Sequence, residues 1–169
     1  PGGSAYDKLP RGLRRGIGHI AEKMPAHRGR NFLVRKGKDL EERFIGNAYM
    51  FTPEERKALL KIRTNAPDPM AITKPFYDKV QDQDDVTKMQ YLDLHMWMAG
   101  DILLKADKMS MANSLELRVP LLDKKVMELA EQIPTRYRVT REAVTDEKTP
   151  YITKYAMRLA AKKDTTPPA

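Results

Sequence analysis

Residues 101–123 read DILLKADKMSMANSLELRVPLLD, the stretch of the 169-residue chain richest in acidic, basic and polar chemistry. Its first half repeats apolar residues at helical spacing, which predicts a helix whose apolar stripe faces a core. After Ser114, apolar and charged residues alternate, and Pro120 restricts the preceding residue to an extended conformation. The pattern therefore predicts a helix and then a short extended arm. The stripe consists of Ile102, Leu103, Ala106 and Met109.

A second helix is predicted to follow the arm. It begins at Asp123, whose carboxylate can accept hydrogen bonds from the free amides of the first turn, and it ends at Pro134. Within the arm, Glu116 and Arg118 project to the same side because strand side chains alternate. Two interpretations of this pair stay open: an ion pair that holds the arm in place, or a direct contact with a substrate.

The segment resembles a signature near the end of the synthetase domain of asparagine synthetases of the glutamine-hydrolysing type. The usual form of that signature is close to D-x-x-L-[KR]-x-D-[KR]-x-S-M-A-x-S-L-E-x-R-x-P-[FL]-L-D. Two departures are mild: Lys108 stands where arginine is frequent, and Leu121 stands where phenylalanine is frequent. The similarity extends from about Tyr6 to the helix of Arg158, although only the signature is strongly specific.

The resemblance implies a fold and also indicates what the chain lacks. The implied structure is mainly α, the helical C-terminal portion of an α/β adenine-nucleotide α-hydrolase-like (PP-loop ATP pyrophosphatase) synthetase domain, with residues 1–169 as one helical unit. The family's S-G-G-x-D-S phosphate loop, its G-E-G-A-D-E-like acidic loop and its glutamine-hydrolysing cysteine do not occur here. We therefore expect a partial domain without the nucleotide-binding half and the glutaminase domain, and we expect it to be inactive alone.

The resemblance also implies the chemistry of the intact enzyme. Such enzymes use ATP to adenylate the side-chain carboxylate of aspartate, and ammonia from glutamine then displaces AMP to give asparagine. ATP and Mg²⁺ are the implied cofactors, and neither is expected to bind tightly to this chain by itself. The implied partners are aspartate, ATP, glutamine-derived ammonia and the missing N-terminal half of the synthetase domain, and a homodimer stays open.

Lys154 is the candidate catalytic residue, because within Thr-Lys-Tyr-Ala-Met-Arg158 it matches the family lysine that approaches the pyrophosphate and the intermediate. The alternative is an ordinary solvated helix lysine. The candidates for orienting the substrate or a metal ion are Asp93, Asp101 and Asp107. For Asp101, which follows Gly100, the capping of a helix is the simpler interpretation. The residues predicted to stabilise the arm or support the active site are Glu116, Arg118 and Asp123.

The composition bears on the class of protein. The sequence contains no cysteine, which excludes disulfides and thiolate metal sites, and its three histidines lack ligand spacing, so no metal site is predicted. Because neither a signal peptide nor an apolar span of membrane length is apparent, the cytoplasm is the default expectation and no membrane partner is predicted. The net charge of +8 suggests nucleic acid, but the basic residues lack interleaved aromatic residues, which disfavours that partner.

Two alternatives to an asparagine synthetase stay open. The first is a related synthetase, such as a β-lactam-forming type, that adenylates another carboxylate. The second is a basic helical module without catalysis that binds nucleic acid or a protein. A phosphate loop upstream of this sequence would exclude the second alternative.

The rest of the chain is predicted to be a succession of helices. Pro10 begins a helix that ends at Pro25, the basic stretch 26–38 is a connector, and a further helix covers Leu40 to Ala48. Other helices are predicted to begin where a capping residue precedes a proline or an aspartate. These capping residues are Thr52, Asp68, Asp84 and Thr149.

Overall fold

The structure is a computed structural model that describes residues 5–25, 29–47, 50–62, 65–141 and 151–165. The internal contacts divide the chain into two compact units, Pro1–Lys105 and Ala106–Ala169, whereas the sequence suggested one helical unit. We describe each unit by itself. Most described residues of both units are helical, which confirms the predicted mainly α character.

The first unit contains six helices among its described residues and the beginning of a seventh. They are α1 (Arg11–Glu22), α2 (Arg30–Gly37), α3 (Leu40–Arg43), α4 (Pro53–Leu59), α5 (Pro69–Tyr77), α6 (Asp85–Asp93) and the start of α7 (Leu104–Ala112). A π-helical segment, Leu94–Leu103, joins α6 to α7 without a break. Short 3₁₀ turns occupy Ala5–Lys8 and Asp78–Val80.

The second unit begins within α7 and combines helices with a small hairpin. Its further elements are a 3₁₀ turn (Pro120–Leu122), α8 (Lys124–Gln132), α9 (Thr135–Arg138), β1 (Val139–Thr140), β2 (Ile152–Thr153) and α10 (Tyr155–Thr165). The two strands are antiparallel, with Val139 opposite Thr153 and Thr140 opposite Ile152. The hairpin was not predicted, because two-residue strands leave almost no alternating pattern in a sequence.

The predicted helix starts at Thr52, Asp68 and Asp84 are confirmed. The Thr52 hydroxyl accepts from the Glu55 amide at 3.2 Å, and the Glu55 carboxylate accepts from the Thr52 amide at 2.7 Å, which completes a capping box. Asp68 and Asp84 each accept a backbone amide in the first turn of the helix that follows. The predicted cap at Thr149 lies outside the described residues, and α10 begins at Tyr155.

The prediction of a connector over residues 26–38 is wrong, because α2 occupies most of that stretch and packs against α1. The two helices approach so closely at Gly18 and Gly37 that a methyl group has no room. A Cβ atom on Gly37 would lie 2.8 Å from the Cα of Gly18 and 2.9 Å from the carbonyl oxygen of Arg14. Arg30 reinforces the pair by donating from Nε to the Ala21 carbonyl oxygen at 3.0 Å.

The most apolar face of α1 is not the face that packs. Leu13 and Ile20 are 52% and 64% exposed, whereas Gly18 and Ala21 are buried against α2. A purely hydrophobic pattern identifies the wrong side here, because the contact depends on the small size of its residues rather than on apolar area. The predicted stripe of the signature helix is likewise exposed at Met109.

The core of the first unit lies where α5 and α6 meet. Thr73, Tyr77 and Leu92 are fully buried there. The Tyr77 hydroxyl donates to the carbonyl oxygen of Phe44 at 2.6 Å, which ties the chain just after α3 to α5. Burial, assisted by nearby carboxylates, raises the pKa of Tyr77 to about 12, so this hydroxyl stays a donor at neutral pH.

The close contact between α1 and α2 generates a stability prediction. We expect Gly37→Ala to destabilise the first unit by about 1–3 kcal/mol, because the added methyl group would meet backbone atoms that cannot rotate away. Gly16→Ala is the matched control, since Gly16 lies in α1 with open space at its Cβ position, and alanine should stabilise the helix by about 0.5–1 kcal/mol. Urea unfolding followed by circular dichroism measures both, and equal stabilities of the two variants would contradict the close contact.

Candidate functional site

Residues 101–123, the signature segment, fold as the sequence predicted. Its helical part runs to Ala112, residues 115–119 form neither helix nor strand, and α8 follows the 3₁₀ turn at Pro120. Asp123 caps α8, since its Oδ1 accepts from the Lys125 amide at 2.9 Å. The predicted order of helix, arm and helix is therefore confirmed.

A left-handed residue turns the chain from α7 into the arm. Ser114 has φ 55°, a conformation in which glycine is usual at helix ends. The Leu115 amide donates to the Ser110 carbonyl oxygen at 2.9 Å, and the Ser114 amide donates to the Met111 carbonyl oxygen at 3.1 Å. These two bonds form the Schellman arrangement, which satisfies carbonyls at the end of the helix and fixes the direction of the arm.

The arm carries the ion pair that the alternation of its side chains predicted. An Nη atom of Arg118 donates to Oε1 of Glu116. The side chains of Arg118 and Glu116 are 82% and 74% exposed, so solvent screens the pair and it contributes little to stability. Asp123 is engaged at the start of α8 and forms no ion pair with either residue. The role of the pair in holding the arm or contacting a substrate stays a prediction.

Lys154 lies between β2 and α10 and has the second left-handed backbone among the described non-glycine residues, with φ 55°. Its carbonyl oxygen accepts from the Arg158 amide at 3.0 Å, so the residue forms the entry to α10. Arg158 also donates from Nε to the carbonyl oxygen of Thr153 at 3.0 Å, which closes the backbone around Lys154. The Lys154 side chain is exposed, and no described carboxylate pairs with its ammonium group.

Asp101 is a helix residue, and the capping interpretation is wrong. It lies inside the π-helical segment, where hydrogen bonds from residues five apart widen the turn. Its Oδ2 accepts from Trp97 Nε1 at 3.1 Å, and its Oδ1 lies 3.0 Å from the Lys105 ammonium. Both partners are four residues away, so the helix itself already occupies this carboxylate.

Asp93 has a half-buried carboxylate that is only partly satisfied. Its Oδ2 accepts from Asn47 Nδ2 at 2.6 Å, whereas its Oδ1 is shielded from solvent and has no hydrogen-bond partner among the described residues. Burial raises the pKa of Asp93 above its ordinary value, and the hydrogen bonds from Asn47 oppose that rise because they favour the ionised form. Such an oxygen is able to accept one further donor.

The predicted site residues fall into both units. Asp93 and Asp101 belong to the first unit, and the others belong to the second. Among all these candidates, only Glu116 and Arg118 form an ion pair with each other. Asp107 has an exposed side chain, and its carbonyl oxygen accepts from the Ser110 hydroxyl at 3.0 Å. No three potential ligands among histidine, aspartate and glutamate cluster around a metal position in the described residues.

Sequence reasoning missed three features of this site. The partner of Asp93 is Asn47, which is 46 residues away in the sequence, and no local pattern could have indicated the contact. The contact of Trp97 with Asp101 had a signal, since residues four apart share a helix face. The left-handed backbones of Ser114 and Lys154 left no signal, because neither residue is the glycine or asparagine usual in that conformation.

Comparison with known proteins gives the family. The profile of asparagine synthase matches residues 5–168. The chain belongs to the asparagine synthase family. This membership confirms the family resemblance of the signature segment, and it covers both units described above.

Two relatives illustrate the extent of the similarity within the asparagine synthase family. Asparagine synthetase [glutamine-hydrolyzing] 1 of Bacillus subtilis is 44% identical over 157 residues, covering 92% of this chain and 23% of the relative. A putative asparagine synthetase [glutamine-hydrolyzing] of Mycobacterium tuberculosis is 40% identical over 156 residues, covering 92% of this chain and 22% of the relative. The chain thus spans less than a quarter of the length of these relatives. No solved structure matches the chain, and none of its described helices is both long and apolar enough to cross a membrane.

The turn at Ser114 can be tested by substitution in this family member. We expect Ser114→Gly to stabilise the end of α7 by about 0.5–1 kcal/mol, because glycine relieves the cost of a left-handed backbone. Ser110→Gly is the matched control inside α7, where glycine should destabilise the helix by about 0.5 kcal/mol. Hydrogen exchange of the Leu115 amide reports the local opening, and slower exchange in the Ser110 variant than in the Ser114 variant would refute the assignment.

The pKa of Asp93 provides a second test. We expect Asn47→Ala to raise this pKa further, because the variant removes the side-chain hydrogen bond that favours the carboxylate. A raised carboxyl pKa stabilises the fold at pH values below the ordinary pKa, and this contribution is lost as the pH rises through the folded pKa. The pH range over which the Asp93 contribution to the free energy of unfolding is lost should therefore lie higher in the variant.

An NMR titration of the side-chain carboxyl carbons measures this change. Asp78 is the internal control, because Lys74 lowers its pKa and Asn47 has no part in that interaction. An Asp93 pKa that is unchanged or lower in Asn47→Ala would contradict the hydrogen bond, provided that the titration of Asp78 is the same in both proteins.

Proposed function

We propose that this chain is a segment of a longer ATP-dependent amidotransferase that makes asparagine from aspartate, with glutamine as the source of ammonia. The observation that carries the proposal is the signature segment, which is intact in sequence and folds as one helix, arm and capped helix in a member of the asparagine synthase family. The names of the relatives favour this product over a β-lactam. The segment would form the helical portion of an α/β adenine-nucleotide α-hydrolase-like domain.

The proposed reaction has two steps. An oxygen of the aspartate side-chain carboxylate attacks the α-phosphorus of ATP, and pyrophosphate leaves with the electrons of the broken P–O bond. Ammonia then attacks the activated acyl carbon, AMP leaves, and one proton is lost from nitrogen to give the amide. Both steps develop negative charge on leaving phosphate oxygens, so the reaction needs a fixed cation close to them.

Lys154 is the residue that we propose for this cationic role. Its ammonium group is exposed and has no carboxylate partner among the described residues, so no internal ion pair must break before it meets phosphate. Its backbone is held in a left-handed conformation, a strain that persists mainly where surrounding structure enforces it and that is frequent at functional sites. The bond of Arg158 to Thr153 is one such enforcing contact.

The candidate carboxylates differ in their fitness for orienting a substrate. Asp93 keeps this proposed role because its Oδ1 has no donor among the described residues, so an amine or a cation that reached it on local opening would find a free acceptor. Asp101 is the weaker candidate because Trp97 and Lys105 already engage it. Mg²⁺ would neutralise phosphate charge in the intact enzyme, but we assign it no ligands here, since the described residues offer no cluster of three.

The proposal predicts the kinetics of a Lys154 variant in the longer protein that contains this segment. We expect Lys154→Ala to lower the rate of pyrophosphate release in the presence of ATP, aspartate and ammonia by about 10²–10³-fold, the usual cost of removing one group that stabilises transition-state charge. Lys163→Ala is the matched control, because Lys163 is an exposed lysine of α10 that lies two turns or more beyond the entry of that helix. The chain alone should show no such activity.

Supplying ammonia directly separates this step from glutamine hydrolysis. If Lys154→Ala releases pyrophosphate as fast as Lys163→Ala, then Lys154 is not the phosphate-contacting cation. If the longer protein adenylates another carboxylate and ignores aspartate, the asparagine-forming proposal is wrong and the related-synthetase alternative holds. A cytoplasmic location and a homodimer belong to the same proposal and are tested by fractionation and by sedimentation.

A further inference from the structure

The first unit contains a polar cleft of about 690 Å³ that the reaction above does not use. It is formed where α1, α2 and α3 meet, and it extends to the first turn of α6. Its basic lining includes Arg11, Arg14, Arg15, Lys36, Lys38 and Lys88. A volume of this size is typical of small-molecule sites, although this lining is far more polar than most.

Most of the acidic residues in the cleft are already engaged. Glu42 accepts from an Nη atom of Arg15 at 2.5 Å and from the Asp39 amide at 2.8 Å. Asp85 pairs with Arg43 at 3.2 Å. The lining nevertheless contains seven lysine and arginine side chains and only four aspartate and glutamate side chains, so the cleft has an excess of positive charge.

Three of those cations, Arg11, Arg14 and Lys88, have no carboxylate partner among the described residues. The Nε atom of Arg14 is moreover shielded from solvent and has no acceptor among the described residues. An N–H group that is removed from water without an acceptor is costly, so the Arg14 side chain would gain from a rotation that brings its guanidinium to an anionic ligand. Guanidinium groups suit this task, because their planar donors match the oxygens of phosphate in pairs.

We propose that this cleft binds the phosphate groups of a small phosphorylated molecule, with Arg14 and Arg11 as the principal contacts. Several cations around one cleft favour a ligand with more than one negative charge, such as a diphosphate, over a single carboxylate. A nucleic acid is the less suitable occupant, because no aromatic side chain lines the cleft to stack on a base. Lys154 is not among the residues that line the cleft.

Calorimetric titration of the whole chain with inorganic pyrophosphate at low salt tests the proposal. We expect binding that Arg14→Gln and Arg11→Gln each weaken by roughly tenfold or more, the usual effect of losing one charge-assisted hydrogen bond. Arg35→Gln is the matched control, since Arg35 is an exposed residue of α2 outside the cleft and the variant changes the net charge equally. We expect Arg35→Gln to bind within about twofold of the parent chain.

Several outcomes would overturn the proposal. Equal weakening by Arg35→Gln would show diffuse attraction to a basic surface rather than a site. Absence of pyrophosphate binding to a chain that circular dichroism shows to be folded would also overturn the proposal. Tight binding of single-stranded DNA without binding of pyrophosphate would overturn it in favour of a nucleic-acid site. Arg11 is exposed at the start of α1, so Arg11→Gln gives a valid result even if Arg14→Gln unfolds the unit. Lys163→Ala should leave this binding unchanged, because Lys163 is an exposed lysine of α10 that does not line the cleft.

Discussion

The backbone contact between Gly18 and Gly37 is the constraint on which the arrangement of the N-terminal helices depends. It brings α1 and α2 together without a large apolar interface, since Leu13 and Ile20 remain exposed. At this distance the polar ends of the side chains reach across the pair: Lys38 lies 2.6 Å from Glu22. Two helices are usually joined by an apolar interface. Here they are joined instead by dispersion between close backbones, by a capped helix end and by an ion pair.

The same contact determines where charge accumulates. Arg14 is one turn before Gly18, and its carbonyl oxygen is among the atoms that exclude a side chain at Gly37. The cations of α1 therefore lie beside Lys36 and Lys38 at the end of α2, and together they line one cleft. A concentration of like charge is unfavourable by itself, and α3 offsets it by presenting Glu42 to Arg15. In this unit, close helix packing and the polar cleft are two consequences of the same pair of glycines.

The sequence predicted those parts of the fold that local interactions decide. Capping residues such as Thr52, Asp84 and Asp123 bond within three residues, so the sequence contains all the information about them. Helix α2 is stabilised by packing against α1, and its charged sequence with a short apolar run does not indicate a helix. The bond between Asn47 and Asp93 joins residues far apart in the sequence, so no local pattern indicates it. The family signature carried the functional inference, whereas propensity and periodicity alone would have indicated only a basic helical protein.

The left-handed backbones of Ser114 and Lys154, both in the second unit, have different structural settings. At Ser114 the strain is balanced by the two bonds of the Schellman turn, and the consequence is structural: the arm leaves α7 in one direction. At Lys154 the carbonyl oxygen accepts the first hydrogen bond of α10 and Arg158 holds the hairpin backbone, but the side chain pairs with no carboxylate in the part of the chain that the structure describes. This left-handed backbone is the observation that motivates our proposal of Lys154 for phosphate chemistry, since such strained backbones are frequent at functional sites.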